Sequence, residues 1–150
     1  MGLKVGDRMP DFSAIDAGGS LFDSKSVIGI KPVVVYFYPK DDTPTCTEQA
    51  CTYRDRYEEF KDLGAEVIGV SSDSLKSHQA FANKYNLPFV LLSDPDKKIR
   101  KAFGVPNDYL GLIPGRATYV ADRNGNIQMV FDSTLGKIHI EKALEILKTI

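Results

Sequence analysis

The chain has little cysteine, no surplus of either charge and no long apolar run. Of 150 residues, two are cysteine, 19 are Lys or Arg and 20 are Asp or Glu, which leaves a net charge of −1. Two cysteines are too few for a disulfide-stapled scaffold or a cysteine-rich zinc site. The charge balance excludes the basic surplus that drives binding to nucleic acid or anionic membranes, and no acidic block suggests a disordered tail. No apolar stretch approaches bilayer-spanning length. The start, Met1-Gly2-Leu3-Lys4-Val5-Gly6-Asp7, lacks the charged-then-apolar profile of a signal peptide. A cytoplasmic protein with no nucleic-acid and no membrane partner is expected, although a plastid-type chain trimmed of its leader would look the same. What is present, 43% hydrophobic residues over a length that suits one core, predicts a single domain spanning residues 1–150.

The order of elements follows from periodicity and turn chemistry. Asp11 to Ile15 alternates, Gly18-Gly19 turns, and Leu21-Phe22 returns as a partner strand. Val33 to Tyr38 is six consecutive β-formers, too continuous for a wet face, and predicts a central strand buried on both sides. A helix follows, with Thr43 as N-cap, Pro44 in the first helical position, Ala50, Tyr53, Tyr57 and Phe60 at helical spacing, and Gly64 as its stop. Val67 to Val70 and Phe89 to Leu92 predict further buried strands, separated by a helix over 75–85. A short helix capped by Asp94-Pro95 carries Ile99, Ala102 and Phe103. Val105 to Gly115 has no period and reads as a loop. Asn124-Gly125 between Ala117–Ala121 and Ile127–Phe131 predicts a β-hairpin, and a last helix covers roughly 138–148. Alternating strands and helices followed by a hairpin imply an α/β fold with a mixed central β-sheet flanked by helices.

The two cysteines, Cys46 and Cys51, both fall on the first long helix. Cys46 lies in its first turn, among backbone N–H groups that have no intrahelical partner. Those dipoles favour a thiolate over a thiol, so a reactive cysteine is expected there rather than a core filler. Cys51 is one and a half turns on, where an ideal helix puts the two Cα atoms about 8.6 Å apart. A disulfide needs less than about 7 Å. Either the pair never bonds, or the first turns unwind when it does. Arg116, at the entrance of the strand Ala117–Ala121, is either a solvated surface cation or, if that edge faces Cys46, a partner for its negative charge. His78 and His139 match no metal spacing and read as ordinary polar positions. No phosphate-cradling glycine motif is present.

Pro39-Lys40-Asp41-Asp42-Thr43-Pro44-Thr45-Cys46 matches the P-x-x-x-T-x-x-C signature of the peroxiredoxins. The fragments Pro10-Asp11-Phe12, Arg54-Asp55, Gly64 to Ser71, Leu92-Ser93-Asp94 and Gly115 to Val120 fit as well. A second cysteine five positions after the first resembles the Q group, also called bacterioferritin comigratory proteins. The resemblance implies a thioredoxin-like fold with added N-terminal strands and a thiol peroxidase with no cofactor, neither haem nor metal. It implies Cys46 as the nucleophile that attacks hydrogen peroxide or an alkyl hydroperoxide, Cys51 as the resolving thiol, and Pro39, Thr43 and Arg116 as the rest of the site. It also implies an intramolecular disulfide reduced by thioredoxin; the helix geometry then requires local unwinding for the bond to form, and an intramolecular pair needs no partner subunit, so a monomer is expected. Members commonly have Gly where this chain has Thr45. Two other readings use the same residues: a disulfide reductase or redox sensor, which favours C-x-x-C over the spacing found here, and a non-catalytic module on the same scaffold.

Overall fold

The computed structural model describes residues 2–105, 107–108 and 113–150. In chain order, a hairpin of β1 (Ser13–Ile15) and β2 (Leu21–Asp23) precedes β3 (Val33–Phe37), α1 (Pro44–Asp55) and α2 (Tyr57–Asp62). Then come β4 (Glu66–Ser71), α3 (Leu75–Tyr85), β5 (Val90–Ser93) and α4 (Lys98–Phe103). The chain closes with β6 (Asn107–Asp108), β7 (Ile113–Pro114), β8 (Ala117–Ala121), β9 (Ile127–Asp132) and α5 (Gly136–Leu147). Five strands form one mixed sheet in the order β5-β4-β3-β8-β9. The first three are parallel, and β8 and β9 run antiparallel to their neighbours. This is the thioredoxin-like α/β architecture, with the β1–β2 hairpin as the N-terminal addition.

All five residues of β3 are buried, as an apolar run without alternation requires. The two-residue period sends Val34 and Tyr36 into a core shared with α1, α2, α3 and α5. It sends Val33, Val35 and Phe37 into the opposite core, against α4 and the N-terminal segment. Gly69, which pairs with Tyr36 across β3 and β4, makes room for that ring. A Cβ at Gly69 would fall 2.8 Å from Tyr36 Cζ and 2.9 Å from Leu91 Cδ2.

Two expectations need correction. The single helix expected up to Gly64 breaks at Arg56, which leaves helical geometry at φ −108° and ψ 13°. Its guanidinium is gripped there by Glu59 of α2 and Glu141 of α5. Within the stretch expected as a loop from Val105 to Gly115, Asn107–Asp108 and Ile113–Pro114 pair as a short antiparallel ladder; residues 106 and 109–112 lie outside the described ones. Among the described residues no helix is long and apolar enough to cross a membrane.

Candidate active site

The chain leaves the carboxyl end of β3 at Tyr38 and enters α1 within six residues, so Cys46 lies where open α/β sheets collect their ligands. Thr43 takes the N-cap backbone position, with φ −91° and ψ 155°, and Pro44 opens the helix. The first helical backbone bond runs from Thr47 N–H to Thr43 O, so the N–H groups of Thr45 and Cys46 precede the ladder. Cys46 itself is 2% exposed and packs in the core that holds Tyr36, Ala50 and Tyr53.

Arg116 reaches this sulfur because of sheet register. β8 runs antiparallel to β3 with Ala117 opposite Phe37, which puts Arg116 at the edge where the chain turns from β3 towards α1. Its guanidinium donates to Cys46 Sγ at 3.3 Å and to Gln49 Oε1 at 2.5 Å. Arg116 is 5% exposed and Gln49 is fully buried. Among the described residues no carboxylate pairs with Arg116. Arg116 Nε and Gln49 Nε2 are buried donors with no hydrogen-bond partner among the described residues.

The other expected residues are placed differently. Thr43 is half-buried, and its hydroxyl donates to Lys40 O at 2.9 Å instead of capping the helix. Pro39 is half-buried directly after Tyr38. Cys51 is half-buried further along α1, and both cysteines are free. Burial pushes the Cys51 thiol up, with Arg54 pulling against it. Because α1 is continuous from Pro44 to Asp55, the two Cα atoms keep the helical separation of about 8.6 Å, too wide for a disulfide. The structure thus brings Cys46 and Arg116 together, keeps Thr43 in the turn just upstream, and leaves Cys51 apart.

Sequence reasoning missed the polar network beneath this site. His78 and His139, expected as ordinary polar positions, are both fully buried. Asp41 Oδ1 accepts from the Tyr38 hydroxyl at 2.6 Å, and Oδ2 from the Ser77 hydroxyl at 2.8 Å and His78 Nδ1 at 2.5 Å. His78 Nε2 lies 2.8 Å from Leu92 O, and the Asp41 N–H donates to Asp73 Oδ2 at 2.8 Å. Asp41, Asp73 and His78 bring ligand-type atoms within 4.8 Å of one another. The Asp41 carboxylate and both imidazole nitrogens are already occupied, so the cluster is a hydrogen-bonded network. His139 Nε2 donates to Ser133 O at 2.9 Å and its Nδ1 accepts from the Thr118 hydroxyl at 2.8 Å. Burial holds its pKa down to about 4, and the Arg116 charge adds to that. The signal was in the spacing: His78 falls on the helical stripe of Leu75, Phe81 and Tyr85, and His139 on that of Ala143 and Leu147.

Comparison with known proteins gives the same answer at three levels. Residues 5–130 match the AhpC/TSA family. A relative from Sedum lineare, "Peroxiredoxin Q, chloroplastic", is 51% identical over 149 residues, 99% of this chain and 80% of that protein. The crystal structure of peroxidoxin BcpB from Mycobacterium tuberculosis superimposes with a TM-score of 0.90 at 33% identity, covering 99% of this chain and 98% of that one. The bacterioferritin comigratory protein of Xanthomonas campestris, described by its alkyl peroxide reduction activity, gives a TM-score of 0.83 at 31% identity over 92% of this chain and 90% of that one. The cytoplasmic expectation is overturned, because the plant relatives at about this identity are named chloroplastic. The physical reason is that balanced charge and short apolar runs suit any aqueous compartment, so composition does not separate cytoplasm from stroma. By sequence and by structure this chain belongs to the AhpC/TSA family, in its peroxiredoxin Q branch, and is a thiol peroxidase whose substrate is a peroxide.

Proposed function

We propose that Cys46 is the peroxidatic nucleophile and Cys51 the resolving thiol of a one-chain catalytic cycle. The observation that carries this is the contact between the buried Arg116 guanidinium and Cys46 Sγ. A permanently cationic guanidinium is buried with a sulfur and an amide oxygen as its polar partners among the described residues, so it is placed to stabilise negative charge that develops on that sulfur. The thiolate attacks the near oxygen of the peroxide, the O–O bond breaks, and the far oxygen leaves as alkoxide or hydroxide and takes a proton. Cys46 is then a sulfenic acid. Arg116 and the free N–H groups of the first turn hold the developing negative charge. Thr43 contributes its hydroxyl oxygen to orient the peroxide, and Pro39, which has no N–H, closes the side of the site without competing for it.

The Cys51 thiol then displaces water from the sulfenic acid and forms the Cys46–Cys51 disulfide, which requires α1 to open. An external dithiol, with thioredoxin as the donor that the resemblance implies, restores both thiols by exchange. Hydrogen peroxide and alkyl hydroperoxides both fit a nucleophile that needs only an O–O bond, and the Xanthomonas protein favours including the alkyl class. The pairing lies within one chain, so a monomer of one domain is sufficient. The plant relatives favour a chloroplast setting.

The test is stopped-flow peroxide consumption by the pre-reduced protein, with and without thioredoxin and its reductase. Wild type turns over only with the reductant, Cys46→Ser consumes nothing, and Cys51→Ser consumes about one peroxide per chain and stops. Full turnover by Cys46→Ser, or sustained thioredoxin-driven turnover by Cys51→Ser, overturns these assignments.

A further inference from the structure

We propose that Asp41 and His78 are positioning residues for the Cys46 site, and that one proton shared between them keeps the loop of residues 39–43 docked against β4 and α3. The inference rests on Cys46 being the reacting thiol and adds a regulated support beneath it.

Proton counting carries the first step. His78 Nδ1 faces the Asp41 carboxylate at 2.5 Å and His78 Nε2 faces the Leu92 carbonyl at 2.8 Å. Both partners are acceptors. A neutral imidazole carries one N–H, so beside an ionised Asp41 one of its lone pairs would point at an oxygen. The pair therefore holds one proton more than a neutral imidazole beside a carboxylate, in a place with essentially no solvent contact. Burial by itself lowers a histidine pKa. The hydrogen bond and charge of Asp41 reverse that, joined by the Leu92 carbonyl and Asp73, and leave His78 raised.

Location carries the second step. Asp41 lies in the middle of the segment between Pro39 and the N-cap Thr43, five residues before Cys46. Its carboxylate is tied to Tyr38, Ser77 and His78, and its own N–H to Asp73, so β3, the turn after β4, and α3 all meet on this one residue. Asp42 follows in a left-handed conformation, φ 58°, with its carboxylate held by Lys84 and Tyr85 at the far end of α3. The titratable groups that face the pair are Asp73 from the turn after β4, Tyr38 from the end of β3, and Tyr36, which burial keeps a neutral phenol. When the shared proton leaves at alkaline pH, a buried lone pair faces an acceptor. The contact that docks Asp41 then turns repulsive, and the loop that sets Thr43 and the first turn of α1 is freed.

The experiment follows three signals in one protein across neutral to alkaline pH: the ring-nitrogen NMR shifts of His78, the amide-exchange protection factors of residues 41–43, and the rate of Cys46 oxidation by peroxide. Both ring nitrogens of His78 should show imidazolium-like shifts at pH 7. As they titrate, protection at Asp41 and the oxidation rate should each fall about tenfold. His78→Gln should react about tenfold more slowly at pH 7 and lose the alkaline step. Ser77→Ala removes a hydrogen bond but no proton, and should keep the step. A neutral His78 at pH 7, constant Asp41 protection through its titration, or a His78→Gln protein with wild-type rate and step overturns the proposal. Should His78→Gln fail to fold, the wild-type signals decide. If the wild type does not react with peroxide at all, the nucleophile assignment fails, while the exchange and NMR signals still judge the docking device.

Discussion

The backbone of Gly136 rests on the side chain of Thr45. A Cβ at Gly136 would lie 3.2 Å from Thr45 Cγ2, from Thr45 O and from Gln49 Cβ, closer than side chains pack without displacement. Gly136 opens α5, and Thr45 and Gln49 flank Cys46 on the first turns of α1. The turn that carries the sulfur is therefore held from two sides, by Arg116 of the sheet edge and by the start of α5. At the other end of α1, Arg56 ties to Glu141 of α5.

A larger side chain at this contact should act on Cys46 without touching it. Gly136→Val pushes against Thr45 O, which is backbone and cannot swing aside, so overpacking by roughly 1–3 kcal/mol is expected. Urea denaturation should show that loss. Peroxide-driven oxidation of Cys46 should slow as well, because Gln49, the partner of Arg116, is pressed by the same group. Wild-type stability in Gly136→Val would show that α5 yields and that the contact does not hold the turn.

Arg116→Lys separates charge from geometry. Lysine keeps a positive charge but lacks the planar fork that reaches Cys46 Sγ and Gln49 Oε1 together. The rate of Cys46 oxidation by peroxide should fall by about 10²–10³-fold, the usual cost of removing one donor from a developing oxyanion. Alkylation of Cys46 by iodoacetamide, which has no leaving oxygen to stabilise, should fall much less. Equal losses in the two reactions would mean that Arg116 acts on the sulfur alone.

Much of this arrangement was legible from the chain itself, and the part that was not has a common cause. β3, the Asn124-Gly125 hairpin and the start of α1 are local signals, set by residues a few positions apart, and each was found where expected. Arg116 was identified as a residue, but its contact with Cys46 spans 70 positions and exists only because of the β3–β8 register. The Asp41–His78 pair spans 37 positions and His139–Thr118 spans 21. A histidine on an apolar stripe announces burial but not its partner, since the partner is chosen by how helices pack on the sheet. The break at Arg56 is similar: the residue there ties to Glu141, 85 positions away.

His139 predicts an acid limit to stability. It donates through Nε2 and accepts through Nδ1, so the fold needs its neutral form, and its pKa is held down to about 4 against an ordinary 6.5. A depressed histidine contributes stability that is complete above pH 6.5 and is lost as pH falls towards 4, where the unfolded chain binds a proton that the folded one refuses. A difference of that size corresponds to about 3 kcal/mol. Other carboxylates begin to titrate in the same range, so the measurement is the difference between wild type and His139→Gln in urea unfolding at pH 7 and pH 4.5. The variant should be less stable at pH 7, and the gap should narrow on acidification. A gap independent of pH would show that His139 contributes packing but no proton linkage.

The spacing of Cys46 and Cys51 predicts a helix that opens once per catalytic cycle. Both residues lie within α1, and no rotamer brings their sulfurs into bonding distance while its hydrogen bonds are intact. The opening is bounded on both sides. Upstream, Asp41 and Asp42 are fastened to the turn after β4 and to α3, and downstream Tyr53 is fully buried against Tyr36 with ring centroids 4.5 Å apart. Oxidation with one equivalent of peroxide should therefore strip amide-exchange protection from residues 44–51 and leave α2 and β3 protected. Thr45→Gly removes the methyl that packs on Gly136 and adds backbone freedom, so it should speed disulfide closure while costing up to about 1 kcal/mol in stability. Gly136→Val, by prising the same surfaces apart, should speed closure too even as it slows the first oxidation. Protection over 44–51 that survives disulfide formation would mean that Cys51 resolves Cys46 without unwinding, which the geometry of an intact helix does not permit within one chain; the disulfide would then have to join two chains, and a non-reducing gel of the oxidised protein would show the dimer.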